Sequence, residues 1–354
     1  MSSPAPAAPT APTGPIAVVC PDKFRGTLSA AEAAGAGACP AGLRRAGFAE
    51  VREVPLADGG EGTLDALLAG RGGSRRTARV TGPLGDPVDA EYGILPDGTA
   101  VIEMARASGL ELVDRNDPLR ASTRGTGELI AAARRGGATR IVVGVGGSAT
   151  TDGGLGAVEA IGWSLAGTDV AVACDVETAF LDAARVYGPQ MGATDAQIER
   201  LTRRLASVAD TYRVRTGVDV TQIEGAGAAG GLAGGLAALG ARLEPGFDVV
   251  AQAAGLEEAL DGAVLVVTGE GKTDATSFEG KLVGGVLEWA SELGIPARAV
   301  IAGQLTDEAR EELSVIGAKG YALVDRVWQA GEAFARAAEL AEEAAIEAGR
   351  VALA

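Results

Sequence analysis

Short apolar runs that each end in a loop of glycines and one or two carboxylates recur along this 354-residue chain. The clearest is IVVGVGGSATTDGG at 141–154. Ile141–Val143 are β-branched and favour extended backbone. The run then opens into Gly144, Gly146, Gly147, Ser148, Thr150, Thr151, Asp152, Gly153 and Gly154. Glycines allow positive φ and close approach of the backbone. A strand that feeds such a loop can bring backbone N–H groups to an anion. A tight turn explains this one loop equally well, so the companion loops decide the reading.

Ile16–Cys20 runs into a loop holding Asp22, Lys23, Arg25 and Gly26, with a Ser29/Glu32 capping box opening a helix. Glu50–Pro55 runs into Asp58, Gly59, Gly60 and Glu61, with a helix from Thr63. Ala263–Thr268 ends in GEGKTD, which supplies Gly269, Glu270, Gly271 and Asp274. Strands are also expected at 297–303 and 320–325, and a closing helix at 329–350. Strand, loop and helix in that order imply a parallel sheet. Five such strands lie at the two ends of the chain. Between them, residues 77–104 read as a hairpin about the Pro96–Gly98 turn, which a purely doubly wound sheet lacks. VAVACDV (170–176) is a further strand ending at Asp175, 193–213 an amphipathic helix, and 225–239 a Gly/Ala-rich helix entry. The expectation is an α/β protein of two domains, a parallel sheet interrupted by an inserted mixed-sheet α/β domain. The boundaries read as a disordered tail at 1–14, one domain at 15–70 plus 260–354, and the insertion at 71–259, with a cleft between the domains.

Composition then excludes whole classes of chemistry. The formal net charge of −16 argues against nucleic-acid and anionic-membrane surfaces. No histidine is present, so there is no Ser-His-Asp triad, His-ligated zinc or imidazole base. A general base must be Asp, Glu, Lys or water. Cys20, Cys39 and Cys174 have neither zinc-site nor disulfide-framework spacing, which points to reduced thiols in a cytoplasmic protein. Aromatics make up 4%, so the core must be Ala, Val and Leu. The Pro/Ala/Thr-rich start is no secretory signal, and no apolar run is long enough to span a membrane.

Three motifs are decoys. GEGKT (269–273) ends like a P-loop, but Val266 stands where the first glycine is required. GVGGSA (144–149) and GAGAAG (225–230) fit a dinucleotide fingerprint, a weak signal in so glycine-rich a chain. The second motif suits close helix packing and anion binding equally. Taken together, the carboxylate loops suit phosphoryl transfer, where magnesium is held by one or two carboxylates and substrate phosphates. Ordinary Asp/Gly turns remain the plain alternative.

PDKFRGTLSA, PLADGGEGT, VTGPLGDPVDAEYGIL, AVIEMARASGLELV, TRGTGELI, IVVGVGGSATTDGG, ACDV, YGPQMGAT, GAGAAGGL and VTGEGKTDATSFEGK occur in this order. Together they resemble the bacterial glycerate kinases of the type I family, over residues 16–305. The resemblance implies ATP-dependent phosphorylation of D-glycerate, usually on the 2-hydroxyl, with Mg2+. It implies a flavodoxin-like domain interrupted by a restriction-endonuclease-like one. On this reading Asp274 or Asp175 takes the hydroxyl proton. Asp22, Lys23, Arg25, Gly26, Asp58, Gly59, Gly60, Glu61 and Lys281 meet the substrate. Gly146, Gly147, Ser148, Thr150, Gly153, Gly154, Gly269 and Gly271 meet ATP, and Asp152 and Glu270 the metal. The implied partner is glycerate, with no nucleic acid or membrane, and a homo-oligomer is compatible with the sequence. The chain departs from the family pattern at 177–181, at Met191 where Lys is usual, and at Glu279 where His is common. Those departures also allow a non-catalytic paralogue that binds a small hydroxy acid or nucleotide.

Overall fold

The computed structural model describes residues 14–22 and 38–354. Lys23, Arg25, Gly26 and the helix expected from Ser29 lie outside the described residues. By internal contacts the chain forms two compact units. The first comprises Met1–Pro55, Glu257–Glu279 and Val286–Ala354, and the second Leu56–Leu256 and Gly280–Gly285.

The strands β1 (Ile16–Val19) and β2 (Glu50–Glu53) open the first unit. The second unit carries β3 (Ser74–Thr81), β4 (Pro87–Ile94), β5 (Ala100–Glu103), β6 (Arg140–Gly144), β7 (Asp169–Ala173) and β8 (Arg242–Glu244). The first unit resumes with β9 (Ala263–Thr268), β10 (Lys272–Thr273), β11 (Ala297–Ala302), β12 (Gln304–Leu305) and β13 (Lys319–Ala322).

The first unit's main sheet has five strands in the order β13-β11-β9-β1-β2. Every neighbouring pair in it is parallel. Its core is built from small and branched residues: Ala17, Val19, Leu265, Val267, Ala299 and Ile301 from the sheet, with Leu43, Leu340, Ala344 and Ala348 from the helices. Small residues offer little area each, so stabilisation depends on close approach. The helices Cys39–Ala46 and Ala337–Ala352 show it. A Cβ on Gly42 would lie 2.4 Å from the Glu342 carbonyl, and one on Gly349 2.7 Å from Ala46 Cβ. The single helix expected at 329–350 is two, Ala330–Ala335 and Ala337–Ala352, broken at Arg336 (φ −114°).

The second unit's sheet has six strands in the order β3-β4-β5-β6-β7-β8. The β3/β4 and β4/β5 pairs are antiparallel, and β5 to β8 run parallel. The expected hairpin is thus the antiparallel entry to a mixed sheet.

The sequence reading grouped residues 56–70 with the flanking parallel sheet. Their contacts are with the second unit. Gly59 packs on Ala173, and the helix Thr63–Arg71 sits so close to β4 that a Cβ on Gly93 would meet Leu64 Cδ1 at 2.5 Å. The division by contacts therefore differs from the expected one at its first boundary.

Candidate active site

The parallel strands of the second unit end on one line. Register pairs Glu103 with Gly144, Gly144 with Ala173, and Ala173 with Glu244. Ligands of open α/β sheets bind beyond such carboxyl ends.

The loop 56–62 crosses this line at a distance only glycine allows. A Cβ on Gly144 would lie 2.4 Å from the Gly59 carbonyl oxygen. A Cβ on Gly59 would lie 2.6 Å from Ala173 Cβ and 3.2 Å from Gly246 Cα, and Gly59 has φ +83°. Gly59→Ala is therefore expected to cost about 1–3 kcal/mol through overpacking and left-handed strain. It should also lower kcat/KM by lifting the loop. Urea unfolding and steady-state kinetics check both effects.

The Asp58 Oδ1 accepts from the Gly60 N–H at 3.0 Å, a turn that fixes the exposed carboxylate beside this line. Asp175, two residues past β7, accepts from the Gly246 N–H through Oδ1 at 2.6 Å. Loss of water around its carboxylate pushes the Asp175 pKa above the ordinary range. The Gly246 hydrogen bond opposes this, the charges of Asp58 and Asp248 add to it, and Lys281 opposes it. The residue keeps solvent access all the same, so a small molecule can reach it. Asp58, Gly59, Gly60 and Asp175 are thus brought to one edge, with Lys281 near enough for its charge to act on Asp175. Exposed Gly146 and Glu61 join them, since a Cβ on Gly146 would lie 3.3 Å from Gly60 Cα and 3.9 Å from the Glu61 nitrogen.

The stretch 146–154 divides in two. Gly146 and Gly147 are exposed, whereas Ser148 to Gly154 are buried. The Ser148 Oγ contacts the Thr150 Oγ1 at 2.9 Å. The Gly153 N–H donates to the Gly230 carbonyl at 3.0 Å, and the Gly154 N–H to the Asp152 Oδ1 at 3.0 Å. Those two amides have no donor left for a phosphate. Asp152 is filled in the same way. Its oxygens accept from the Ser122 Oγ (3.1 Å), the Thr123 N–H (2.8 Å) and the Thr123 Oγ1 (3.0 Å). They also accept from the Gly154 N–H and, at 3.3 Å, from the Gly156 N–H. With Asp152 buried and its lone pairs committed to protein donors, the geometry does not fit the expected metal role. The segment is a polar brace beneath the exposed glycines.

GAGAAG is resolved in the same direction. Ala229, Gly230 and Gly231 carry positive φ inside the segment Ala228–Ala237. A Cβ on Gly230 would lie 1.8 Å from the Thr150 carbonyl. The motif is a kinked close contact against the 150–154 turn.

In the first unit a second set of loops gathers at the carboxyl ends. The Asp22 N–H donates to the Gly269 carbonyl at 2.8 Å, the Gly303 N–H to the Glu270 carbonyl at 3.1 Å, and the Gln304 N–H to the Gly271 carbonyl at 3.1 Å. A Cβ on Gly269 would lie 1.7 Å from the Ile301 carbonyl, so this glycine serves strand approach. The Asp274 Oδ1 caps the turn Ala275–Phe278 through the Thr276 N–H (3.0 Å) and Oγ1 (2.8 Å). Its Oδ2 lies 4.0 Å from the Lys272 Nζ.

Among the described residues, no three or more His, Cys, Asp or Glu side chains form a metal cluster. Glu270 is half-buried with its backbone fixed at the end of β9, which fits the single-carboxylate mode in which magnesium accompanies phosphates. Sequence reasoning missed Glu103, a strand-end carboxylate beside Gly144, although AVIEMA shows the same strand-then-carboxylate pattern. The departure at Met191 is buried, and its sulfur contacts the Thr151 Oγ1 at 3.2 Å.

Two α/β units with glycine and carboxylate loops at parallel strand ends place the chain among α/β enzymes that take small ligands at such edges. The model of the glycerate kinase family matches residues 17–169 and 163–353. The chain is 43% identical to glycerate 2-kinase of Escherichia coli K12 over 82% of this chain and 86% of that protein. It is 40% identical to glycerate kinase of Halalkalibacterium halodurans over 93% and 96%. A crystal structure of a protein described as putative glycerate kinase 2 from Salmonella typhimurium LT2 superimposes with TM-score 0.80 at 34% identity, covering 96% of this chain and 98% of that one. The chain belongs to the glycerate kinase family.

Proposed function

We propose that this chain transfers the γ-phosphoryl group of ATP to the 2-hydroxyl of D-glycerate. Family membership supports glycerate as substrate. The observation that carries the chemistry is the approach of Asp58 and Asp175 to Gly246 at one strand edge, with the charge of Lys281 acting on Asp175. Asp175 takes the hydroxyl proton as the oxygen bonds to phosphorus and the bond to the ADP oxygen breaks. With Oδ1 accepting from the Gly246 N–H, Oδ2 is the oxygen assigned this task. Lys281 supplies positive charge for the glycerate carboxylate, and Lys23 and Arg25, outside the described residues, keep the substrate-binding role that the resemblance implies. The exposed Gly146 and Gly147 receive phosphate oxygens. Asp22, Gly269, Gly271, Glu270 and Asp274 form the companion group, and Asp274 stands as the second choice of base. Glu270 would hold the magnesium ion, which neutralises phosphate charge. A cytoplasmic location belongs to this proposal. No helix among the described residues is long and apolar enough to cross a membrane.

An ATP/Mg2+ assay over a panel of small hydroxy acids, with the product read by phosphorus NMR, tests this reading. D-glycerate should be the preferred acceptor, with phosphorus coupled to the C2 proton. Coupling to the C3 protons would overturn the 2-position. Absence of turnover on every acid would overturn the kinase reading in favour of a binding paralogue.

A further inference from the structure

We propose that Glu103 is the positioning residue of the Asp58 loop: a buried carboxylate on β5 that holds the loop's exit and thereby sets where Asp58 stands. The inference rests on the functional reading above for its kinetic consequences, but its geometry is independent. The helix Thr63–Arg71 begins at Gly62, whose φ is +95° and which offers no side-chain cap. The first amides of a helix need acceptors. Glu103 supplies one from across the fold, its Oε1 accepting from the Gly62 N–H and the Leu64 N–H, each at 2.9 Å. Its Oε2 takes the Arg106 Nε at 2.6 Å.

Arg106 completes a second grip on the same helix, with its other nitrogens 3.0 Å from Glu91 and 3.4 Å from Asp65. Arg75 ties Asp65 and Glu91 together at 2.5 and 2.8 Å. A carboxylate as buried as Glu103, 4% exposed, is tolerated only when so fully partnered. It also fills the amide end of this helix with an internal negative charge, so a substrate phosphate does not bind there. In register with Gly144, Glu103 couples the loop to the sheet edge that the loop crosses. Misplacement of a reacting group by about 1 Å costs on the order of 10²-fold in rate.

Three variants separate positioning from simple loss of stability. Glu103→Ala removes the acceptor of the Gly62 and Leu64 amides and the partner of the Arg106 Nε, leaving Arg106 on Glu91 and Asp65. Glu103→Asp keeps the charge for Arg106 but withdraws the oxygen from the amides. Glu103→Gln keeps an oxygen acceptor at full length. Hydrogen–deuterium exchange of segment 58–66 is measured together with kcat and the KM values for ATP and glycerate. For the Ala and Asp variants, exchange in 58–66 should rise at least about tenfold while β6 and β7 stay protected. Their kcat should fall about 10- to 100-fold, with the KM for ATP within about twofold. The Gln variant should recover most of the lost kcat. Should the Ala variant not fold, the Asp variant decides. A folded Asp variant with parental exchange and parental kcat would overturn the proposal. A parent inactive on glycerate would overturn the function proposed above and leave the exchange arm to decide this inference.

Discussion

Asp175→Asn is expected to lower kcat for glycerate phosphorylation by about 10²- to 10⁴-fold, the usual contribution of a positioned general base. Glycerate binding, read by calorimetry, should change far less. The fold should survive, because Asn keeps an oxygen that can accept from the Gly246 N–H as the Asp175 Oδ1 does. The variant should also be at least as stable at pH 7. The sign follows from linkage. Burial raises the Asp175 pKa in the folded protein above its value in the unfolded chain. Stability from this group is then highest below the unfolded value of about 3.9 and is lost as pH rises through the folded value. At neutral pH the full penalty operates, and Asn removes it. A charged group kept at a cost to stability is what a catalytic site demands. A variant that lost both activity and several degrees of melting temperature would mark Asp175 as structural instead.

Asp152→Ala should do the opposite, acting on stability first. Its oxygens accept from the Ser122 and Thr123 hydroxyls and from the Thr123, Gly154 and Gly156 N–H groups. Removing the carboxylate leaves these donors without their acceptor, most of them away from solvent. At about 1 kcal/mol or more for each orphaned group, the expected loss is about 4 kcal/mol. That is a large share of the roughly 5–15 kcal/mol that holds a protein folded. Guanidinium unfolding measures it. Any soluble remainder should keep the parental dependence of kcat on magnesium, since the Asp152 oxygens are engaged by protein donors. A variant with parental stability and a lost magnesium response would restore Asp152 as a ligand.

The contrast between these two aspartates shows what the sequence made legible. Both follow strands, both neighbour glycines, and spacing treats them alike. The strands themselves were readable from β-branched runs such as IAVV and AVLVVT, and so was the parallel direction of the first sheet's strands, because each run is followed by a loop and a helix. The hydrogen-bonded setting of Asp152 was not legible, because its partners at 122 and 123 lie about thirty residues away in sequence. The grouping of 56–62 was hidden for the same reason, since its contacts with Ala173 and Gly246 are remote in sequence. The kink at 229–231 escaped a reading of Gly/Ala periodicity, because positive φ there follows from packing on Thr150. Glu103 was legible in kind but not in role, as its partners Gly62 and Leu64 precede it by about forty residues.

The pH profile of kcat/KM for glycerate tests the central claim most directly, namely that Asp175 is the base and works beside Asp58. A base must be deprotonated, so activity should be lost as pH falls through the raised Asp175 pKa. The acid limb should lie above the value of about 3.9 for a free aspartate. In Asp58→Asn it should move down, because the Asp58 charge is one of the groups that raise Asp175. An acid limb at or below the free-aspartate value, or one that Asp58→Asn leaves in place, would contradict the account.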